Sequence, residues 1–278
     1  MGHPWLEVFK VGVAVKLSPL NSEQWRLESQ REFLVMNSFA SEFWDIERSV
    51  AGELGKVDFA DSKVKYILNP LEYCEVPHLQ YLQKFLTGPK SVLFLGLNPG
   101  PWGCGQTGVP FGEVTHCQTF LNISGEVRSP ACCPPKVKIL GFNSTRREVS
   151  GERFWRFVQS KWSTADNFFQ NCFVHNYCPL IFTTETGKNI TPAELKSDLK
   201  KVVMSHCDSA LLETLALLQT THVVAVGRFV YDRVNKAVKQ HHLQISLSFL
   251  LHPSPANPAA NKGWDRAAEL SLSKLNIF

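Results

Sequence analysis

Four short apolar runs constrain this chain more than any other feature: Ser91-Val-Leu-Phe-Leu-Gly-Leu, Cys172-Phe-Val-His-Asn-Tyr-Cys, His222-Val-Val-Ala-Val-Gly and Ile245-Ser-Leu-Ser-Phe-Leu-Leu. Each is bounded by Gly, Pro or Asn and is nearly continuous in Val, Leu, Phe and Ile. Runs of that length and composition suit strands buried on both faces, as in a parallel sheet. Helical patterns separate them. Phe154, Phe157 and Val158 mark one helix, and Thr191-Pro-Ala-Glu opens another with a capping box. Val230 to Val238 marks a third, and a last begins near Asp265. Alternation of this kind predicts one three-layer α/β/α domain around a four-stranded, mainly parallel sheet.

The flanks are less regular. Residues 1–21 lack helical or strand continuity and read as a tail, so the domain is expected to span 22–278. Residues 22–55 carry apolar positions at helical spacing and predict one long helix or two shorter ones. Tyr66-Ile-Leu-Asn-Pro-Leu-Glu-Tyr reads as a turn-containing connector, followed by a short helix up to Gly88-Pro89. The Pro-, Gly-, Cys- and Ser-rich stretch 122–150 is a long excursion within the domain, and such loops are often functional.

Composition narrows the class. A 44% hydrophobic share with 19 Phe and 7 Trp fits a globular protein and excludes a disordered or collagen-like chain. The net charge of +4 is compatible with a polyanionic partner without requiring one. The eight cysteines form no C-x-x-C pair, so zinc-ribbon and iron–sulfur patterns are absent and a reduced compartment is expected. Cys172-x-x-His175-x-x-Cys178 puts its cysteines and its histidine on opposite faces of a strand, which disfavours metal binding. No run of 18 apolar residues occurs and no leader is evident, so a soluble chain is expected.

In an open parallel sheet, ligands bind beyond the carboxyl ends of the strands. That places chemistry in Gly96-Leu-Asn-Pro-Gly-Pro and the glycine-rich residues after it, in His175-Asn-Tyr, and in the loop from His252. Nucleotide loops fit poorly. No G-K-[ST] follows the glycines of the first segment, and Pro99 with Pro101 resist a helix start among them. No G-x-S-x-G elbow supports an α/β hydrolase. Cys104 with His252 would suggest a cysteine hydrolase, but nothing near it in sequence supplies an orienting carboxylate.

Six motifs, in order along residues 31–270, carry a specific resemblance. They are Tyr66-x-x-Asn-Pro-x-Glu-Tyr, Gly96-x-Asn-Pro-Gly-Pro, Gln106-Thr-Gly-Val-Pro-Phe-Gly-Glu, Gly151-x-Arg-Phe-Trp, Val174-His-Asn-x-Cys-Pro-Leu and His252-Pro-Ser-Pro-x-Asn-Pro-x-Ala-Asn-Lys-Gly-Trp. Together the chain resembles the single-strand-selective monofunctional branch of the uracil-DNA glycosylase superfamily. The resemblance implies hydrolysis of the N-glycosidic bond of uracil and oxidised uracils such as 5-hydroxymethyluracil in DNA. It leaves an abasic site without strand cleavage and needs no cofactor or metal.

The resemblance also implies roles. Asn98 holds the water; an amide orients water but hardly deprotonates it, and other branches have Asp here. His252 donates to uracil O2 as charge develops on the leaving base. Asn176 reads the base edge, Phe111 stacks on the extruded base, and Leu97, Gly100 and Gly105 shape the pocket around it. Pro253, Ser254, Pro255, Ala256, Asn257, Pro258, Asn261 and Lys262 resemble the wedge loop that enters DNA. Ala256 stands where the family carries Arg, which predicts weaker action on duplex relative to single strands. Leu97 and Trp102 replace the more usual Met and Phe. The expected partner is uracil-containing DNA, the expected state a monomer, and the expected location the nucleus. A nucleic-acid-binding module without catalysis is the alternative, against which Asn98 and His252 both stand.

Overall fold

A computed structural model gives the fold and describes residues 36–60, 62–275 and 277. The expected tail at 1–21, the domain start at 22 and any helix over 22–35 lie outside those residues. Residues from Asn37 onward cluster into one compact unit.

The central sheet has four strands: β2 (Val92–Gly96), β3 (Cys172–Asn176), β6 (His222–Val226) and β7 (Ser246–Leu250). They lie in the order β3-β2-β6-β7, and every pairing is parallel. All four carboxyl ends therefore open on the same edge. Helices cover both faces, giving the three-layer architecture that the alternating pattern predicts. Successive residues of a strand point to opposite faces, and the aromatics show the two layers. Phe94 of β2 meets Phe154 of α3 (Val149–Trp162) at 5.9 Å between ring centroids. Phe173, in register with Leu93 and so on the other face, meets Phe43 of α1 (Ser38–Gly55) at 5.3 Å. Helix α1 is capped by Asn37, which accepts from the Ala40 amide, and it buries Ala40, Phe43, Trp44, Glu47, Val50, Ala51 and Leu54 at helical spacing. Helix α2 spans Glu75–Phe85, α4 Ser197–Leu218, α5 Arg228–Gln240 and α6 Trp264–Leu272.

Three expectations change. Tyr66–Leu68 is not a connector but strand β1 of a second, antiparallel sheet with β4 (Ile181–Thr183) and β5 (Asn189–Ile190). Strands this short give no readable periodicity. The capping box at Thr191 forms, but it encloses only one 3₁₀ turn, Pro192–Glu194. Leu195 then turns extended, and α4 begins afresh at Ser197. The fourth apolar run is an edge strand, with Ser246 and Phe249 exposed rather than buried on both faces.

The excursion contains one 3₁₀ turn, Gly141–Asn143, and a buried side chain anchors the stretch that leads into it. Gln106 donates to the carbonyls of Pro101 (2.8 Å) and Lys138 (3.0 Å), and its Oε1 accepts from the Leu140 amide (2.8 Å). Gln106 is fully buried, so each lost bond leaves a desolvated group. Gln106→Ala should destabilise the chain by about 1–3 kcal/mol. Urea unfolding would read the loss, and limited proteolysis should show new cuts within 122–148. Unchanged stability and an uncut excursion would contradict this pinning.

Candidate active site

The strand tips surround a cavity of about 440 Å³, a size suited to a small ligand. Asn98, Phe111, Asn176 and His252 all line it, together with Leu97, Gly100 and Ser254. Four segments separated by up to 154 residues in sequence thus converge because β2, β3 and β7 end on the same edge.

Asn98 lies two residues beyond β2. Its Nδ2 donates to the carbonyls of Pro99 (3.2 Å) and Leu180 (3.3 Å). Both donors spent on carbonyls fix the amide and leave Oδ1 as an acceptor. His252 lies two residues beyond β7, and its Nδ1 accepts from the Ser254 amide at 3.1 Å. A ring nitrogen that accepts carries no proton, so the neutral ring presents Nε2–H as a donor. Burial pushes the His252 pKa down to about 4.

Phe111 sits at φ 53°, a left-handed conformation that strains a residue with a Cβ. Its ring stacks on Phe154 at 4.8 Å with 14° between planes and stands 6.2 Å from the His252 ring. The turn is held from below: the Trp155 indole and the Glu113 amide both donate to the Phe111 carbonyl.

Asn176 ends β3, is 7% exposed, and stands in register with Gly96. A Cβ on Gly96 would fall 2.6 Å from Asn176 Oδ1 and 3.1 Å from the Phe111 ring. Only glycine there lets the amide and the ring share one wall. Asn176 Nδ2 points toward the Cys104 sulfur at 4.0 Å. Burial keeps the Cys104 thiol well above its ordinary pKa, which removes the nucleophile that a cysteine hydrolase requires.

Gly105 does not line the cavity. It packs beneath the loop, where a Cβ would meet Ile181 at 2.7 Å and the Gly100 carbonyl at 2.9 Å. Gly100 faces open space. Trp102 is also away from the cavity, under the Arg146 guanidinium at 3.8 Å.

The loop from 253 stands beside this cavity. Pro255, Ala256, Pro258, Asn261 and Lys262 are exposed, Asn257 is half-buried and Pro253 is buried. Asn261 braces the loop internally, donating to the Pro255 carbonyl and accepting from Arg153. Arg153 donates also to the Pro253 carbonyl, so one guanidinium from α3 spans both ends of the loop. Trp264 closes it with an indole donor to Leu251.

Sequence reasoning missed Arg153, and it missed Glu148, Asn189, Thr191 and Arg228, which also line the cavity. Glu148 is the one carboxylate among the described lining residues. It accepts from the amides of Ser150 and Gly151 and so caps α3, while burial raises its pKa. Asn189 Oδ1 is buried there without a partner. Its strand is two residues long, and no local pattern marks it. Among the described residues no three His, Cys, Asp or Glu side chains cluster so as to hold a metal, and no helix is long and apolar enough to cross a membrane.

Comparison with known proteins agrees with this geometry. The model of the uracil DNA glycosylase superfamily matches residues 84–271. Proteins named single-strand selective monofunctional uracil-DNA glycosylase from Rattus norvegicus, Bos taurus and Mus musculus are each 42% identical over 241 residues. These matches cover 87% of this chain and 86–88% of theirs. The chain belongs to the uracil-DNA glycosylase superfamily. Within it, the chain falls in the single-strand-selective monofunctional branch. The crystal structure of Pedobacter heparinus SMUG2 shares the glycosylase fold at a TM-score of 0.60, with 20% identity over 86% of this chain and 97% of that one.

The His252 ring should take up its second proton with a midpoint near pH 4 in an NMR titration of the folded chain. The unfolded chain binds that proton near the ordinary value of 6.5, so lowering the pH between those values removes stability. A midpoint near 6.5 in the folded state would show that the ring is not desolvated.

Proposed function

We propose that this glycosylase excises uracil and oxidised uracils such as 5-hydroxymethyluracil from single- and double-stranded DNA, leaving an abasic site with the strand intact. Family membership makes the chain a monofunctional uracil-DNA glycosylase, an N-glycosidic hydrolase in base-excision repair. The finer reading rests chiefly on one observation: Asn98, left with a free acceptor, and His252, left with a free donor, line one cavity together with Phe111 and Asn176.

The bond breaks toward an oxocarbenium-like sugar and a departing pyrimidine anion. Asn98 Oδ1 holds a water without deprotonating it, which suits bond loosening first and water capture second. His252 Nε2–H donates to uracil O2 as negative charge grows there. A donor preorganised in a desolvated site is typically worth about 10²–10³ in rate. Asn176 accepts from uracil N3–H and donates to O4, whereas cytosine inverts both and leaves polar groups unpaired. Phe111 offers one face to the extruded base while the other rests on Phe154, and such stacking contributes about 1–3 kcal/mol. Open space at Gly100 accommodates a 5-substituent. No lysine is among the described residues lining the cavity, which argues against a Schiff base and strand scission.

The exposed loop from Pro253 to Lys262 enters the duplex and fills the space left by the base, with Lys262 near a phosphate. The enzyme works as a monomer in the nucleus, where its substrate lies.

Labelled uracil oligonucleotides incubated with the protein in EDTA should acquire alkali-labile sites and no direct breaks. Asn98→Ala and His252→Ala should each lower turnover by about 10²-fold or more with folding intact. Undiminished rates would refute these roles. The 5-hydroxymethyluracil oligonucleotide tests the wider substrate range, and resistance to excision would confine the enzyme to uracil.

Ala256 offers a methyl group in the wedge and no donor to the orphaned partner base. Ala256→Arg should therefore raise excision from duplex more than from single strands. An unchanged duplex-to-single-strand ratio would remove Ala256 from the account of strand preference.

A further inference from the structure

Behind the cavity lies a buried polar cluster to which nothing above assigns a task. Glu47 of α1 and His78 of α2 are 4% and 3% exposed. His78 Nε2 stands 2.6 Å from Glu47 Oε2, and His78 Nδ1 stands 2.7 Å from the Gly108 carbonyl. A carbonyl only accepts, so Nδ1 carries a proton, and a contact of 2.6 Å to a carboxylate oxygen requires another. The ring is therefore an imidazolium against Glu47, or it shares that proton with the carboxyl. Burial works against charge on His78, but Glu47 and the Gly108 carbonyl more than offset it, and the pKa is raised. The second carboxylate oxygen of Glu47 lies 3.4 Å from Nδ1 of His175. Burial pushes the His175 pKa down to about 4, so His175 brings no second cation to the cluster.

Both ends of this cluster hold backbone that leads to a cavity residue. Gly108 caps the short helix Cys104–Thr107 at φ 71°, packs against Cys74 and His78, and immediately precedes the turn Val109-Pro-Phe-Gly112, which the Gly112 amide closes on the Val109 carbonyl. His175 immediately precedes Asn176 in β3 and packs edge-on against Phe43 at 4.9 Å. We propose that Glu47 and His78, with His175 on the second carboxylate oxygen, are positioning residues that set Phe111 and Asn176 from behind. This rests on the reading of those two side chains as the base pocket. A buried hydrogen-bonded cluster suits the task because its contacts are directional, and any donor or acceptor that slips out of place inside the core is left desolvated and unpaired. Small errors matter here, since telling uracil from cytosine depends on an amide set against the base edge, and leaving those polar groups unpaired can cost on the order of 10⁴-fold in favourable cases.

The test uses Glu47→Ala, Glu47→Gln and His175→Leu in the full chain. It measures KM on a uracil single strand and the ratio of uracil to cytosine excision. Glu47→Ala should raise KM by about tenfold or more, the scale of one mispaired hydrogen bond to the base, and lower the ratio. Glu47→Gln should restore both to within about threefold, because its amide donates to Nε2 of a neutral His78 while Nδ1–H keeps the Gly108 carbonyl. Should Glu47→Ala fail to fold, His175→Leu carries the test: it leaves the His78 pair intact and should still lower the ratio. A loss confined to kcat, with KM and ratio unchanged, would be merely structural and overturns the proposal, as does an unchanged ratio in His175→Leu. Asn176→Ala and Phe111→Ala serve as references. If they too leave KM and ratio unchanged, the base-pocket reading fails; if they change both while the Glu47 and His175 series changes neither, the positioning device alone fails.

Discussion

The parallel pairing of β2 with β3 governs the geometry of the cavity. It sets Gly96 beside Asn176, and the ladder continues past the strands, with the Tyr177 amide on the Gly96 carbonyl and the Cys178 amide on that of Leu97. That register brings an amide and an aromatic ring over a backbone position with no Cβ. Sliding the strands by one residue would turn Asn176 to the other face, since side chains alternate along a strand. The same register carries Leu180 under Asn98, whose amide is fixed by that carbonyl. The sheet is thus the support of the cavity as well as the core of the domain.

Hydrogen bonds to neighbouring backbone decide what the side chains present within the cavity. Asn98 spends both amide protons on backbone carbonyls and keeps an acceptor, while His252 spends Nδ1 on an amide and keeps a donor. A hydrolysis that needs a placed water on one side and a proton-rich contact on the other finds both polarities already set. Fixed polarity in a desolvated cavity costs no reorganisation when charge moves, and this is where such sites gain most of their rate. The strain at Phe111 belongs to the same economy of placement: the indole of Trp155 and the ring of Phe154 hold a backbone that would otherwise relax.

Much of this was legible in the chain because its signals are local. The strands at 92–96, 172–176 and 222–226 are short apolar runs, and the helices at 228–240 and 264–272 announce themselves by spacing. Where the signal weakens, so does the reading. Tyr66–Leu68 and Asn189–Ile190 are too short for a period, and Thr191-Pro-Ala-Glu is a genuine cap whose helix ends after one turn. The resemblance sets Gly105 at the pocket, yet Ile181, from a strand that the pattern did not reveal, fills the space beside it.

The sequence by itself determined a parallel α/β sheet, the order of its strands along the chain, and six motifs that place Asn98, Phe111, Asn176 and His252 at strand ends or turns. It could do so because strand length, helical period and turn chemistry are properties of neighbouring residues. Only the tertiary structure decided which way the Asn98 amide points, which nitrogen of His252 holds the proton, that Arg153 spans the loop from Pro253 to Asn261, and that Glu47 meets His78. Apart from the local Ser254–His252 bond, these contacts join residues 31 to 108 positions apart. No local periodicity encodes them, because each exists only after the sheet has closed and water has been excluded.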